Sequence, residues 1–199
     1  MFVIGALVTS AGLAQTARDN AADAERLVKA LDVHLASVVG EIGAGAGELT
    51  FAMARTVGEA GRVFTNELNT DRAKALQAEA DKGGFKNVTV VEGHEADTNF
   101  PDRCCDAIFM RNVYHHFGDP PAMNASLLSS LKPGGRLAII DFAPPSGGET
   151  APGHRGDDNH HGITPPTLER ELKAAGFEIV SSETKDRTVL VVARRPSAP

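Results

Sequence analysis

Val38-Val39-Gly40-Glu41-Ile42-Gly43-Ala44-Gly45-Ala46-Gly47-Glu48-Leu49-Thr50 is an apolar run closed by an acid, with three glycines following at alternate positions. Residues 48–57, ELTFAMARTV, then form a helix-compatible segment. The order reads as buried strand, tight glycine turn and helix N-terminus. Glycine has no Cβ, so such a turn lets the backbone approach a ligand closely. The free N–H groups of the helix that follows favour anionic or electron-rich ligand groups.

On either side of this turn the chain alternates strands and helices. Residues 20–31 (NAADAERLVKAL) place Ala24, Leu27, Val28 and Leu31 at helical spacing. Residues 62–68 (RVFTNEL) read as a second strand ending in Glu67 and Leu68, with Glu67 20 positions after Gly47. That interval suits one helix between two parallel strands. An acid at such a strand end can accept hydrogen bonds from both hydroxyls of a ribose. Residues 70–82 form a helix stopped by Gly83-Gly84, and residues 87–91 (NVTVV) a strand leading into Glu92-Gly93-His94-Glu95. Residues 106–110 (DAIFM) are apolar enough for a strand buried on both faces and run into Arg111-Asn112-Val113-Tyr114-His115-His116-Phe117. A helix over 121–131, a Lys132-Pro133-Gly134-Gly135 turn and a fifth strand over 136–141 follow. A helix over 165–175 and strands over 177–182 and 188–193 close the chain. This rhythm predicts a doubly wound α/β fold, a mainly parallel sheet with helices on both faces.

The chain has 199 residues, 42% hydrophobic and 23% charged, which is ample for a buried core. Net charge is −6 with no run of Lys or Arg, so neither nucleic acid nor an anionic membrane surface is an expected partner. Cys104 and Cys105 are the only cysteines, and neighbours in sequence are poorly placed to bridge each other. Residues 1–14 are apolar and uncharged but too short to span a bilayer. Gly12 and Ala14 supply the small residues of a signal-cleavage site, yet no basic residue precedes the apolar run. An N-terminal arm over 1–18 packed on a domain over 19–199 and an export signal both fit that pattern.

A glycine turn with a downstream acid also describes dinucleotide-binding oxidoreductases, but their fingerprint is G-x-G-x-x-G. Here the glycines are Gly43, Gly45 and Gly47, with Glu41 just ahead. Taken with Glu67, the segment from Asp106 to Phe117, and Leu131-Lys132-Pro133-Gly134-Gly135-Arg136-Leu137, the pattern resembles the class I S-adenosylmethionine-dependent methyltransferases, in particular their type 11-like, small-molecule branch. The resemblance covers roughly residues 20–195 and implies a seven-stranded sheet whose last strand is antiparallel. It implies S-adenosylmethionine as cofactor and a small-molecule methyl acceptor, with no stable membrane span.

The same resemblance distributes roles. The turn Gly43, Ala44, Gly45 and Gly47 would accommodate the methionine portion, with Glu41 near its ammonium group. Glu67, with Leu68 beside it, would hold the ribose, and the loop carrying His94 and Glu95 would flank the adenine. Relatives commonly place an acid where His94 stands, so either His94 or Glu95 takes the adenine contact. Asn112 falls at the end of the fourth strand, beside the position where ligands bind in open α/β sheets. His115 and His116 are candidate general bases for a hydroxyl or thiol acceptor, and Tyr114 a candidate to orient it. The Pro-, Gly- and His-rich segment 142–166 reads as a lid or substrate loop. Within it His154, His160 and His161, with Asp157 and Asp158, offer metal-ligand types without a ligand spacing, so lining the substrate mouth is the expectation and no metal is assigned. The resemblance also admits protein or nucleic-acid methylation, or a cofactor-binding module without turnover. The cofactor is made in the cytoplasm, which is the expected location; export is the alternative if residues 1–14 act as a signal.

Overall fold

The computed structural model describes residues 10–197. Strand β1 (Val38–Ile42) is buried along almost its whole length, because the sheet has packed side chains on both faces. Val39 belongs to one apolar cluster with Leu27, Met53 and Phe109, while Ile42 belongs to the other with Ile108, Leu127 and Leu168. Alternation along a single strand thus feeds two cores, one under each layer of helices.

Helices α1 (Ser10–Leu31), α2 (Glu48–Val57) and α3 (Thr70–Lys82) supply one layer; α4 (Pro120–Ser130) and α5 (Pro165–Ala174) supply the other. The strands are β2 (Arg62–Glu67), β3 (Val88–Glu92), β4 (Cys105–Arg111), β5 (Leu131–Phe142), β6 (Glu178–Lys185) and β7 (Thr188–Arg194). Their spatial order is β3-β2-β1-β4-β5-β7-β6. Pairings among β1 to β5 are parallel, and β7 runs antiparallel to both neighbours. This is the doubly wound, seven-stranded sheet expected from the sequence. The order reverses between β1 and β4, so the crevice at their carboxyl ends is the switch point.

Three details differ from the sequence reading. Helix α1 begins at Ser10 rather than Asn20, so the expected arm and the first helix are continuous over residues 10–31. The rest of the apolar N-terminal segment, residues 1–9, lies outside the described residues. The Lys132–Gly135 turn is a bulge inside β5, where pairing with β4 jumps from Cys105–Leu131 to Ala107–Arg136. Cys104 and Cys105 form a vicinal disulfide, contrary to the expectation that neighbours would stay apart. The chain leaves Arg103 in the left-handed region, at φ 51°, and both cysteine side chains then turn to the same apolar cluster.

Candidate functional site

The glycine turn holds its shape through its own backbone and through β2. Gly43, Gly45 and Gly47 have φ of 72°, 57° and 86°, conformations that cost L side chains energy. The Gly43 N–H donates to Asn66 Oδ1 (3.0 Å) and the Gly45 N–H to Glu67 Oε2 (3.0 Å), so the last two residues of β2 clamp the turn that follows β1. A Cβ on Gly45 would meet nothing, because this glycine faces an open cavity. A Cβ on Gly47 would strike Leu76 and Phe51, so that glycine serves close packing of α2 against α3 rather than the cavity.

The cavity has a volume of about 520 Å³ and sits at the switch point. One part of its wall is Glu67, Leu68, His94 and Glu95; another is Asn112, His116, Phe117 and Met123; Gly43 and Gly45 follow β1, which lies between β2 and β4 in the sheet. A smaller space of about 160 Å³ under the turn is bounded by Glu41, Ala44, Gly45, Arg111 and Asn112. Leu68 is 61% exposed, an apolar side chain left at a cavity wall and suited to a flat ring. Gly93 N–H donates to the Glu67 carbonyl (3.0 Å), which pins the His94 loop beside the acid.

Glu41 is buried, and its carboxylate accepts from the hydroxyls of Thr50 and Thr65. Burial pushes this carboxyl up to about 7, against the lowering effect of the two hydroxyls and of Arg111. Arg111 donates to Asn20 Oδ1 (2.5 Å) and Asp23 Oδ2 (3.2 Å) of α1, so it ties that helix to the rim of both spaces. Asn112 stands in the left-handed region at φ 57°, held by a hydrogen bond from its N–H to the Ile140 carbonyl (2.8 Å). Asparagine adopts this conformation more readily than most residues, and here it sets Asn112 at the wall of both spaces.

The Tyr-His-His stretch divides in three directions. Tyr114 is fully buried away from the cavity wall; its hydroxyl accepts from Asn124 Nδ2 (2.7 Å) and donates to Glu171 Oε2 (3.1 Å). Burial raises its phenol far above the ordinary value. The expectation that Tyr114 orients an acceptor gives way to a packing role between α4 and α5. His115 is buried too, with Nδ1 2.8 Å from Asp141 Oδ1 and Nε2 3.0 Å from His161 Nε2. Only His116 reaches the cavity wall. Although the residue is exposed, partial desolvation and the adjacent rings of His115 and His161 hold its imidazole below the usual value.

Segment 142–166 lies across this cluster. Arg155 is buried and pairs with Glu171 of α5, and its Nε donates to the Thr150 carbonyl (2.9 Å). Gly156 passes close to the His116 ring, and Ile163 N–H donates to the Phe142 carbonyl (2.8 Å). The expected histidine grouping of this segment breaks up: His154 and His160 are exposed, and His161 turns inward to His115. His154 keeps only a loose approach to Asp157 at 3.6 Å, and the Asp158 side chain lies outside the described residues. Sequence reasoning passed over Asn66, Arg111 and Asp141. For Asp141 the available signal was its place at the end of the fifth strand, level with Arg111 and Asn112 at the end of the fourth.

Comparison with known proteins decides the family. The methyltransferase domain family matches residues 40–139, half of the chain. This chain belongs to the S-adenosylmethionine-dependent methyltransferases. A ubiquinone/menaquinone biosynthesis C-methyltransferase of Shewanella halifaxensis is 32% identical over 106 residues, 53% of this chain and 42% of that protein. The Pseudomonas paraeruginosa enzyme of the same name is 34% identical over 131 residues, 61% of this chain and 50% of its own length. The chain thus spans no more than about half the length of these curated relatives. Among solved structures, a SAM-dependent methyltransferase from Aquifex aeolicus superposes with a TM-score of 0.73 at 25% identity, covering 86% of this chain and 89% of that one. The geranyl diphosphate C-methyltransferase of Streptomyces coelicolor A3(2) reaches 0.77 at 17% identity, covering 96% and 88%, a likeness of fold. Among the described residues no helix is long and apolar enough to cross a membrane.

The residues present fit the family's cofactor. Gly45 leaves open space where any side chain would intrude, Glu67 turns its second carboxylate oxygen away from the turn at only a loose 3.9 Å from Arg72, and Leu68 offers an apolar face.

Proposed function

We propose that the chain transfers a methyl group from S-adenosylmethionine to a small, largely apolar acceptor bound beside His116. The observation that carries this reading is one continuous cavity whose wall includes the Glu67–Leu68 strand end, the glycine turn and the Asn112–Met123 segment. Donor and acceptor would then share a single cleft. Bound S-adenosylmethionine supplies a methyl already activated by its positive sulfur.

The protein's own contribution is alignment and exclusion of water. Glu67 and the Gly45 backbone fix the nucleoside end, Glu41 and Arg111 bound the space for the amino-acid end, and Asn112 sets the floor between them. Ile42, Val113, Phe117 and Met123 give the remaining wall an apolar character, which favours a hydrophobic acceptor. The C-methyltransferase relatives act in quinone biosynthesis by name, and an apolar ring compound suits this wall equally. His116, whose imidazole is held below its usual value by partial desolvation and the neighbouring histidine rings, is placed to take a proton from an acceptor that needs one.

The test is a methyl-transfer screen over phenol, thiol, amine, carboxylate and activated-carbon acceptors, following the demethylated cofactor. Turnover is expected with an apolar member of one class. Cofactor binding without turnover across all of them would sink the catalytic reading and leave a binding module.

A further inference from the structure

We propose that His115, His116 and His161 form a binding site for a divalent transition-metal ion at the edge of the acceptor cavity, with Asp141 as the carboxylate that orients His115. The three imidazoles come from two separate segments, the turn after β4 and the loop after β5. Their ligand nitrogens all lie within 4.8 Å of one another. Two nitrogens held about 2.0–2.1 Å from one tetrahedral ion are about 3.3 Å apart. The Nε2 atoms of His115 and His161 are already 3.0 Å apart, so an ion between them needs only a small separation of the rings.

The surroundings prepare His115 as a ligand. Asp141 is buried, and its carboxylate accepts from the His115 backbone N–H (3.2 Å), the Phe142 N–H (2.8 Å) and His115 Nδ1 (2.8 Å). A carboxylate anchored by two backbone donors fixes the imidazole with its proton on Nδ1 and its lone pair on Nε2, toward His161. A carboxylate behind a histidine is the usual support of a metal-ligating imidazole. The tilted contact of His115 with His116, ring centroids 3.9 Å apart at 46°, and the edge-on approach of His161 to His115 at 4.8 Å gather the three rings at one place. Three protein nitrogens leave a tetrahedral ion one open position, the pattern of a site that takes a ligand rather than a purely structural one.

His116 belongs both to the cluster and to the cavity wall. An acceptor oxygen, nitrogen or sulfur reaching this side of the cavity would therefore meet the open position, where a divalent ion lowers its pKa; with the ion bound this replaces proton transfer to His116, whose lone pair is then a ligand. The binding itself stands on the cluster geometry alone; only this consequence for the acceptor rests on the methyl-transfer reading. Because His161 comes from segment 142–166, the ion would also fasten that segment over the cavity.

The test uses the full chain freed of metal by a chelator and titrated with Co²⁺ alone, then with Zn²⁺ in competition, in the absence of S-adenosylmethionine. One Co²⁺ per chain is expected, with visible absorption bands that Zn²⁺ bleaches. His161→Ala and His116→Ala should each abolish the one-to-one bands; the exposed position of His116 makes loss of folding a small risk there. Asp141→Asn should weaken binding about 10- to 100-fold, while His154→Ala leaves it unchanged. Proteolysis within 142–166 should slow on addition of Zn²⁺ to the wild type and not in His161→Ala. No stoichiometric Co²⁺ binding, or bands that persist in His116→Ala and His161→Ala, would overturn the proposal and leave Asp141, His115 and His161 as a hydrogen-bonded chain. Because no cofactor is present, failure of cofactor binding or of methyl transfer cannot produce that result.

Discussion

Glu41 shows how one buried residue can leave a mark on the stability of the whole chain. Its carboxyl ionises near 4.5 when unfolded and is pushed up to about 7 in the folded protein, chiefly by burial. The folded state therefore holds a proton that the unfolded state has lost, and this contribution to stability is complete below pH 4.5 and fades as pH rises to about 7. The size of the effect is about 3 kcal/mol. Denaturant titrations of wild type and Glu41→Gln at pH 4.5, 6 and 8 should diverge, with the variant gaining on the wild type as pH rises. Parallel curves would mean that the carboxyl is hydrated or already ionised. Gly45 gives a second test at the same scale. Gly45→Val should abolish S-adenosylmethionine binding, because the new side chain enters the cavity. Gly84 has φ 71° and equally open surroundings far from the site, so Gly84→Val is the control for backbone strain. Equal binding by both variants would show that the turn is not part of the cofactor site.

At the scale of elements, the question is what holds segment 142–166 in place. The sequence shows no apolar periodicity there, and the structure supplies a polar anchor instead: buried Arg155 against Glu171, which also accepts from Tyr114. Removing one partner of a buried pair leaves the other uncompensated and costs about 3–5 kcal/mol. Glu171 keeps partial access to water, so Arg155→Met should fall toward the lower figure, about 3 kcal/mol. The effect should appear first as faster proteolytic nicking of 142–166, before any loss of the β-sheet signal. Unchanged nicking would show that backbone contacts such as Ile163 to Phe142 carry the segment alone.

For the molecule as a whole, ligand and stability are linked. S-adenosylmethionine at about 100 times its dissociation constant should stabilise the fold by about 2.7 kcal/mol by mass action, read as a rise in the thermal midpoint. No shift with millimolar cofactor would count heavily against the site described above. The fold and the glycine turn were legible because they depend on local chemistry. Glycines at alternate positions demand a left-handed turn, apolar runs demand burial, and an acid one helix later falls at the next strand end. Gly43, Gly45 and Glu67 thus meet around one cavity as their spacing suggests, whereas only packing shows that Gly47 faces Leu76.

The acceptor half was not legible, for a physical reason. Tyr114, His115 and His116 are consecutive, yet a single 3₁₀ turn sends them into a buried hydrogen-bond network, toward Asp141, and onto the cavity wall. His161 looks in sequence like one of a loop cluster with His154 and His160, and only the path of the chain after β5 turns it inward. The sequence by itself determined the strands, their alternation with helices and the glycine turn, since each follows from residues near one another in the chain. The meeting of His115 and His161, 46 residues apart, was decided by tertiary structure alone, because nothing local constrains where a long polar loop comes to rest.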